Sequence, residues 1–340
     1  MASYDRIKVL PAISFGASDP DNARKRTFAD NHKRTERFRV TVTGQVDITV
    51  AGTGLRNRGS ILAAITEVGF ADGGADKVVL DARLARFISD AFSAAPQPAT
   101  RLANAGVQAA TQLRESFDLW LASPYSMNPG ESKYVEPNKQ QQLEVFATPV
   151  RQIGKVAAGA TGTISNLGLS VEQVYDDLIH QAPKVSVFVR QIVQAVPAAQ
   201  SGLKIDLRGS RYLRAIAIQQ DTSDTGEVSD IITNLVLRGD NVAIIGDRSV
   251  PFKDLVEMLP SEGFGGIAGV PGGYWIYDFQ RYGRMSSWYN PYQDTNLRLE
   301  LDVQPSASGA NSVVRVALIE YERTSATEPD RDGKPPVGLP

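Results

Sequence analysis

One succession of apolar patterns runs twice along this chain, and the repetition restricts its folds more than any single motif does. Residues 61–68, a Gly/Asp turn at Asp72-Gly73-Gly74, Val78-Val79, and then Leu84, Phe87, Ile88 and Ala91 form the first run. Residues 231–238, a Gly239-Asp240 turn, Ile244-Ile245, and then Phe252, Leu255, Val256 and Leu259 form the second. Short apolar stretches bounded by turn residues read as strands, and the i, i+3, i+4, i+7 spacing is one face of a helix. The spacing is the same in both helices. With a period of about half the chain, the pattern predicts a duplicated domain and not a solenoid of short units.

The surrounding segments extend the pattern. Phe38, Val40 and Val42 alternate with Arg39, Thr41 and Thr43, and the alternation resumes at Val46, Ile48 and Val50, as in a half-buried strand. Further strands are expected at 77–80, 116–121, 142–148 and 163–171, with Asp81 as the N-cap of the first helix. In the second half they are expected at 204–207, 212–219, 242–245, 274–279, 296–303 and 312–322, with Pro251 in the first turn of the second helix. Pro137 precedes Leu143-Glu144-Val145 by the interval that separates Pro291 from Leu297-Arg298-Leu299. The fold class is mainly β: two consecutive β-sandwiches of eight short strands, each with a short helix. Residues 1–34 read as a basic N-terminal arm, 35–180 as the first sandwich, 181–325 as the second, and the Pro-rich 326–340 as a disordered tail. The stretch 175–202 has no counterpart in either repeat and reads as the connector.

Composition removes much of enzymology. With no Cys and two His, there is no disulfide framework, no Cys-based metal site and no thiol nucleophile. His32 and His180 lie far apart, and neither sits beside a Ser, Asp or Glu in a nucleophile arrangement. A cupin-type metal site on a jelly roll needs more imidazoles than these. A net charge of −2 argues against bulk genome condensation. No uncharged apolar run reaches the ~18 residues of a membrane span. Asp5, Arg6 and Lys8 occupy the place of a signal-peptide core, so a soluble protein made in a cytoplasm is expected.

The remaining motifs read as turns and loops. Gly154-Lys155 lacks the first Gly of a phosphate loop, and Gly52-Thr53-Gly54 lacks the third Gly of a dinucleotide fingerprint. Arg238-Gly239-Asp240 sits between two apolar strands, where Gly-Asp is hairpin chemistry. Asp221, Asp224, Glu227 and Asp230 crowd one loop without the EF-hand spacing. No catalytic, cofactor-binding or metal-binding residue is assigned. Two surfaces stand out. Tyr274, Trp275, Tyr277, Phe279, Tyr282, Trp288, Tyr289 and Tyr292 put eight rings in nineteen residues, with Arg281 and Arg284 among them. Trp275, Tyr277 and Phe279 share one strand face and belong to a core, whereas Tyr282, Arg284, Trp288, Tyr289 and Tyr292 are candidates for a subunit interface. Arg24, Lys25, Arg26, Lys33 and Arg34 are candidates for facing an anionic membrane or a genome, or for packing on a neighbouring subunit.

The paired strand–turn–strand–helix blocks, Gly273-Tyr274-Trp275-Ile276-Tyr277-Asp278-Phe279, and the strand 296–303 with its partner 313–321 resemble the double jelly-roll major capsid proteins of tailless icosahedral phages. Corticoviruses, finnlakeviruses and tectiviruses have such proteins, and adenovirus hexons are more distant. The resemblance covers most of residues 35–323. It implies a non-enzymatic structural protein of the virion, assembled in the host cytoplasm, whose homotrimer is a pseudo-hexagonal capsomer. The implied partners are neighbouring capsomers, penton and minor capsid proteins, and an internal membrane or genome met through the arm. The alternatives are a β-sandwich carbohydrate-binding or adhesion protein that uses the aromatic cluster 274–292, and a glycoside-active enzyme on a jelly roll.

Overall fold

The computed structural model describes residues 6–30, 34–93, 97–121, 142–176, 185–209, 211–222, 227–240, 242–246, 272–279, 289–290, 294, 296–304 and 312–323. The chain divides into two compact units, Met1–Val189 and Arg190–Pro340.

The first unit contains β1 (Arg6–Val9), β2 (Lys25–Phe28), β3 (Arg34–Val50), β4 (Ile65–Asp72) and β5 (Ala75–Leu80). The helix α1 (Ala82–Ala91) follows, then β6 (Gln108–Trp120), β7 (Leu143–Pro149) and β8 (Thr161–Asp176). One sheet has the order β1-β8-β3-β6 and the other β5-β4-β7-β2. The second unit contains β9 (Val185–Val196), within which the division falls, β10 (Gln200–Asp206), β11 (Tyr212–Thr222), β12 (Ile232–Gly239) and β13 (Val242–Ile245). It continues with β14 (Tyr274–Asp278), β15 (Arg298–Val303) and β16 (Ser312–Arg323). Its sheets run β9-β16-β11-β14 and β13-β12-β15-β10. Adding eight to each strand number of the first unit reproduces the order of the second. The same eight-stranded jelly roll is therefore built twice.

Alternation of side chains explains both cores. In the first unit Phe38, Val40 and Val42 of β3 are fully buried, and the Phe38 ring meets Phe70 of the opposite sheet at 6.1 Å. In the second, Ile216 and Ile218 of β11, Leu235 and Leu237 of β12, Leu299 and Leu301 of β15, and Val314, Val316 and Leu318 of β16 form one buried cluster. Each such side chain contributes about 1.5–3 kcal/mol on burial. Two-residue loops set the hairpins. Gly73 and Gly74 both have positive φ between β4 and β5, and Asp240 takes φ 44° at the matching turn between β12 and β13. These are the left-handed conformations that tight hairpins require.

The helix α1 begins where expected. The Asp81 carboxylate accepts from the Arg83 amide at 2.9 Å, which supplies an N-cap. Its charged side is covered as well as its apolar side. Arg83 reaches Asp81 and Asn57, and Arg86 donates to the carbonyls of Gln97 and Ser116.

The structure departs from the sequence reading in three places. Residues 61–64 form a 3-10 turn, not the start of a strand, because the Ser60 hydroxyl accepts from the Leu62 amide and caps it. Residues 6–30, within the segment read as an arm, are not irregular: β1 pairs with β8, Ile13–Ser14 pairs with β8, and β2 pairs with β7. Two strands of the first jelly roll thus come from this segment, whose short four-residue runs leave little periodic signal. Residues 175–202 are likewise not an unmatched connector, since they hold β9, the counterpart of β1. The second helix, 251–259, and the tail, 326–340, lie outside the described residues.

Candidate assembly surfaces

The basic segment is built into the sandwich by ion pairs. The edge pairing of β2 with β7 sets Arg26 beside Phe146 and Phe28 beside Glu144. From there Arg26 reaches Glu144 at 2.9 Å. Arg24 spans two strands, meeting Asp76 of β5 at 2.9 Å and Glu67 of β4 at 3.2 Å, with its guanidinium 4.1 Å from the Phe146 ring centre. Lys25 donates to Asp19 at 2.5 Å and to the Ser14 carbonyl at 2.8 Å. The Lys25 hydrogen bond, helped by the Gly16 amide, holds the Asp19 carboxyl below its usual range. Arg24, Lys25 and Arg26 thus pair with carboxylates of their own unit. Arg34 opens β3 opposite Asp176. Lys33 lies outside the described residues.

The aromatic segment is anchored by β14, which pairs antiparallel with β11 and sets Trp275 opposite Ile218 and Tyr277 opposite Ile216. Its rings run in series: Trp275 to Tyr277 at 6.2 Å, Tyr277 to Phe279 at 4.9 Å, and Phe279 to Tyr289 at 5.5 Å. Trp275 and Phe279 are buried, and Tyr277 and Tyr289 pack against the core cluster. Tyr289 also exchanges backbone hydrogen bonds with Leu213 at 2.9 and 3.0 Å. Its phenol donates to Asp294, and burial together with that carboxylate pushes its pKa well above the ordinary phenol range. Of the five interface candidates, Tyr289 faces its own core. Tyr282, Arg284, Trp288 and Tyr292 lie outside the described residues. A sugar platform needs open ring faces, and Trp275 and Phe279 do not offer them.

The other motifs resolve into structure. Arg238 pairs with Glu300 at 3.0 Å and the Asp240 carboxylate accepts from the Asn296 amide, so this tripeptide is a braced hairpin end. Asp221 is buried against Arg315 and Gln219, while Asp230 accepts from the Gly273 amide at 2.6 Å. These acids face different partners, Asp224 lies outside the described residues, and no metal-holding group of His, Cys, Asp and Glu occurs among those described. Gly154 and Lys155 sit in a single 3-10 turn. His32 and His180 lie outside the described residues.

The sequence reading missed a buried cation. Arg214 of β11 is enclosed, 3.1 Å from the Tyr321 hydroxyl and 3.4 Å from Asp278. The pairing of β11 with β16 shifts register between Leu213 and Ala215. A bulge there lets Leu213 and Ile216 both join the core, which strict alternation forbids.

No family model matches the chain, and no curated protein matches it. Solved structures do. The major capsid protein of Sulfolobus turreted icosahedral virus is 12% identical, with a TM-score of 0.69 over 94% of this chain and 96% of that one. The capsid of the virus PBCV-1 gives 12% identity and a TM-score of 0.63 over 94% of each chain. The major capsid protein of bacteriophage PM2 gives 11% and 0.58 over 95% of this chain and 99% of that one. With its two jelly rolls of identical strand order, this chain has the double jelly-roll fold, which it has in common with these viral capsid proteins.

Proposed function

We propose that this chain is a major capsid protein of an icosahedral virus, a structural and non-enzymatic component of the virion. The observation that carries the reading is the duplication: one chain supplies two jelly rolls of the same strand order, so three chains supply six similar units to a six-coordinated lattice site. Likeness to viral capsid proteins over nearly the whole chain supports it. The homotrimer is then the capsomer, its neighbours are other capsomers and penton or minor capsid proteins, and assembly takes place in the host cytoplasm. Tyr282, Arg284, Trp288 and Tyr292 are assigned to subunit contact on the strength of their residue types. Sedimentation equilibrium and negative-stain microscopy of the purified chain test this. Three-chain particles of pseudo-hexagonal outline are expected, and a stable monomer at micromolar concentration overturns the reading. Within a trimer, Trp288→Ala is expected to weaken association more than it lowers the melting temperature.

A further inference from the structure

The described residues contain eight large hydrophobic side chains that stand exposed, and four of them lie on two four-residue strands: Ile7 and Val9 on β1, Val242 and Ile244 on β13. Their exposures are 56%, 70%, 69% and 37%. Each strand ends its sheet, with β8 on one side of β1 and β12 on one side of β13. A sheet edge presents a row of backbone N–H and C=O groups, and proteins that must not pair there place charges on it. The counterpart of β13 in the first unit, β5, is not an edge, because β9 pairs with it in parallel, Val189 opposite Val78. In β13 the sequence is Val242-Ala243-Ile244-Ile245, without a charge.

We propose that the β13 edge of one copy docks on the β1 edge of a second copy. The inference rests on the trimeric capsid reading and deepens it by naming the contact. The duplication selects this occupant, since β5 and β9, the counterparts of β13 and β1, are already paired in parallel within the chain. β1 carries Arg6 and Lys8 beside its apolar residues, with Lys8 paired to Asp30 at 3.3 Å, whereas β13 has no charge. One edge belongs to the first unit and the other to the second, so every copy offers both halves of a head-to-tail contact, and a threefold rotation closes it into a ring.

The chain has no cysteine, which makes disulfide trapping clean. Neighbouring strands of a sheet lie about 4.7–4.9 Å apart, so facing residues are within disulfide reach. Two double variants of the full chain, Ile7→Cys with Val242→Cys and Ile7→Cys with Ile244→Cys, sample two registers of a parallel pairing. After mild oxidation, covalent dimers and trimers on a non-reducing gel are expected from at least one double variant. The single variants are expected to stay monomeric on the same gel. Val242→Lys, at an exposed position, should raise the half-dissociation concentration of the trimer by about tenfold, with an unchanged circular dichroism melt. A chain that sediments as a trimer while both double variants remain uncrosslinked overturns this contact and leaves the capsid reading standing. Crosslinking by a single variant also overturns it, since like edges would then meet. A monomeric wild-type chain overturns both.

Discussion

In the first jelly roll the buried cations ride on a helix: Arg83 of α1 ends on Asp81 and Asn57, and Arg86 on Asp90 and the carbonyls of Gln97 and Ser116. In the second, the most enclosed cation sits within a strand, where Arg214 of β11 meets Asp278 and Tyr321. The strand orders of the two units are nonetheless identical. Topology here follows from the order of apolar alternation and the hairpin turns. The way each unit satisfies its interior charges is a separate, local solution that has diverged between the copies.

The largest effect expected is a charge placed in one core. Leu301 is fully buried in the second unit, and Leu301→Asp puts an unpaired carboxylate there, at a cost comparable with the about 5–15 kcal/mol that holds a domain together. Hydrogen exchange should show loss of protection in β11, β12, β15 and β16. Protection lost first in β3 and β4 would show that the units do not keep separate cores. Phe38→Ala is the matching change in the first unit, with about 3–5 kcal/mol of destabilisation expected in urea unfolding.

The two solutions for buried cations should also differ in strength. Arg214→Leu empties part of a fully enclosed site and takes a donor from the buried Tyr321 hydroxyl as well as from the half-buried Asp278, and about 2–5 kcal/mol should be lost. Arg86→Leu leaves carbonyl acceptors and Asp90, which is at the margin of solvent, so about 1–3 kcal/mol is expected. Equal losses on chemical denaturation would erase the distinction. Asp81→Ala removes a cap and one partner of Arg83, for about 1–2 kcal/mol, read as lost helical signal from the first unit.

Much of this was legible in the sequence because alternation repeats. Phe38, Val40 and Val42, the Gly73-Gly74 turn and the Asp81 cap all announce their structure through period or local chemistry. Strand β1 does not, since four exposed residues carry no inward face to read, and Arg214 does not, since a bulge breaks the parity that would place it. The candidate surfaces were legible by residue type only. Trp, Tyr and Arg serve a core and an interface equally, and whether Tyr289 turns inward is settled by Leu213 and Asp294, which no short motif connects to it. Likewise Arg24 looked like a free cation until pairing brought Asp76 and Glu67 to it from two other strands.

The smallest effects are pH-dependent, and they too compare the two units. In the second, burial works to raise the Glu300 pKa, but hydrogen bonds from Arg298 and Arg238 outweigh it and hold the carboxyl below its ordinary value. In the first, Lys25 does the same for Asp19 in an open setting. A carboxyl whose pKa is depressed by folding contributes stability above its unfolded value, near pH 4, and loses that contribution as pH falls through the lower folded value. The wild-type chain should therefore lose stability between about pH 5 and 3 more steeply than Glu300→Gln does. The difference between the two chains should stay below about 1 kcal/mol, because the Arg238 and Arg298 side chains are partly solvated. Asp19→Asn should flatten the same limb less than Glu300→Gln, since water screens its pairing with Lys25. Urea midpoints at pH 6, 4.5 and 3 for the three chains measure both slopes. An Asp19→Asn effect larger than that of Glu300→Gln would mean that the N-terminal strands, and not the β12–β15 sheet, are the first structure released by acid.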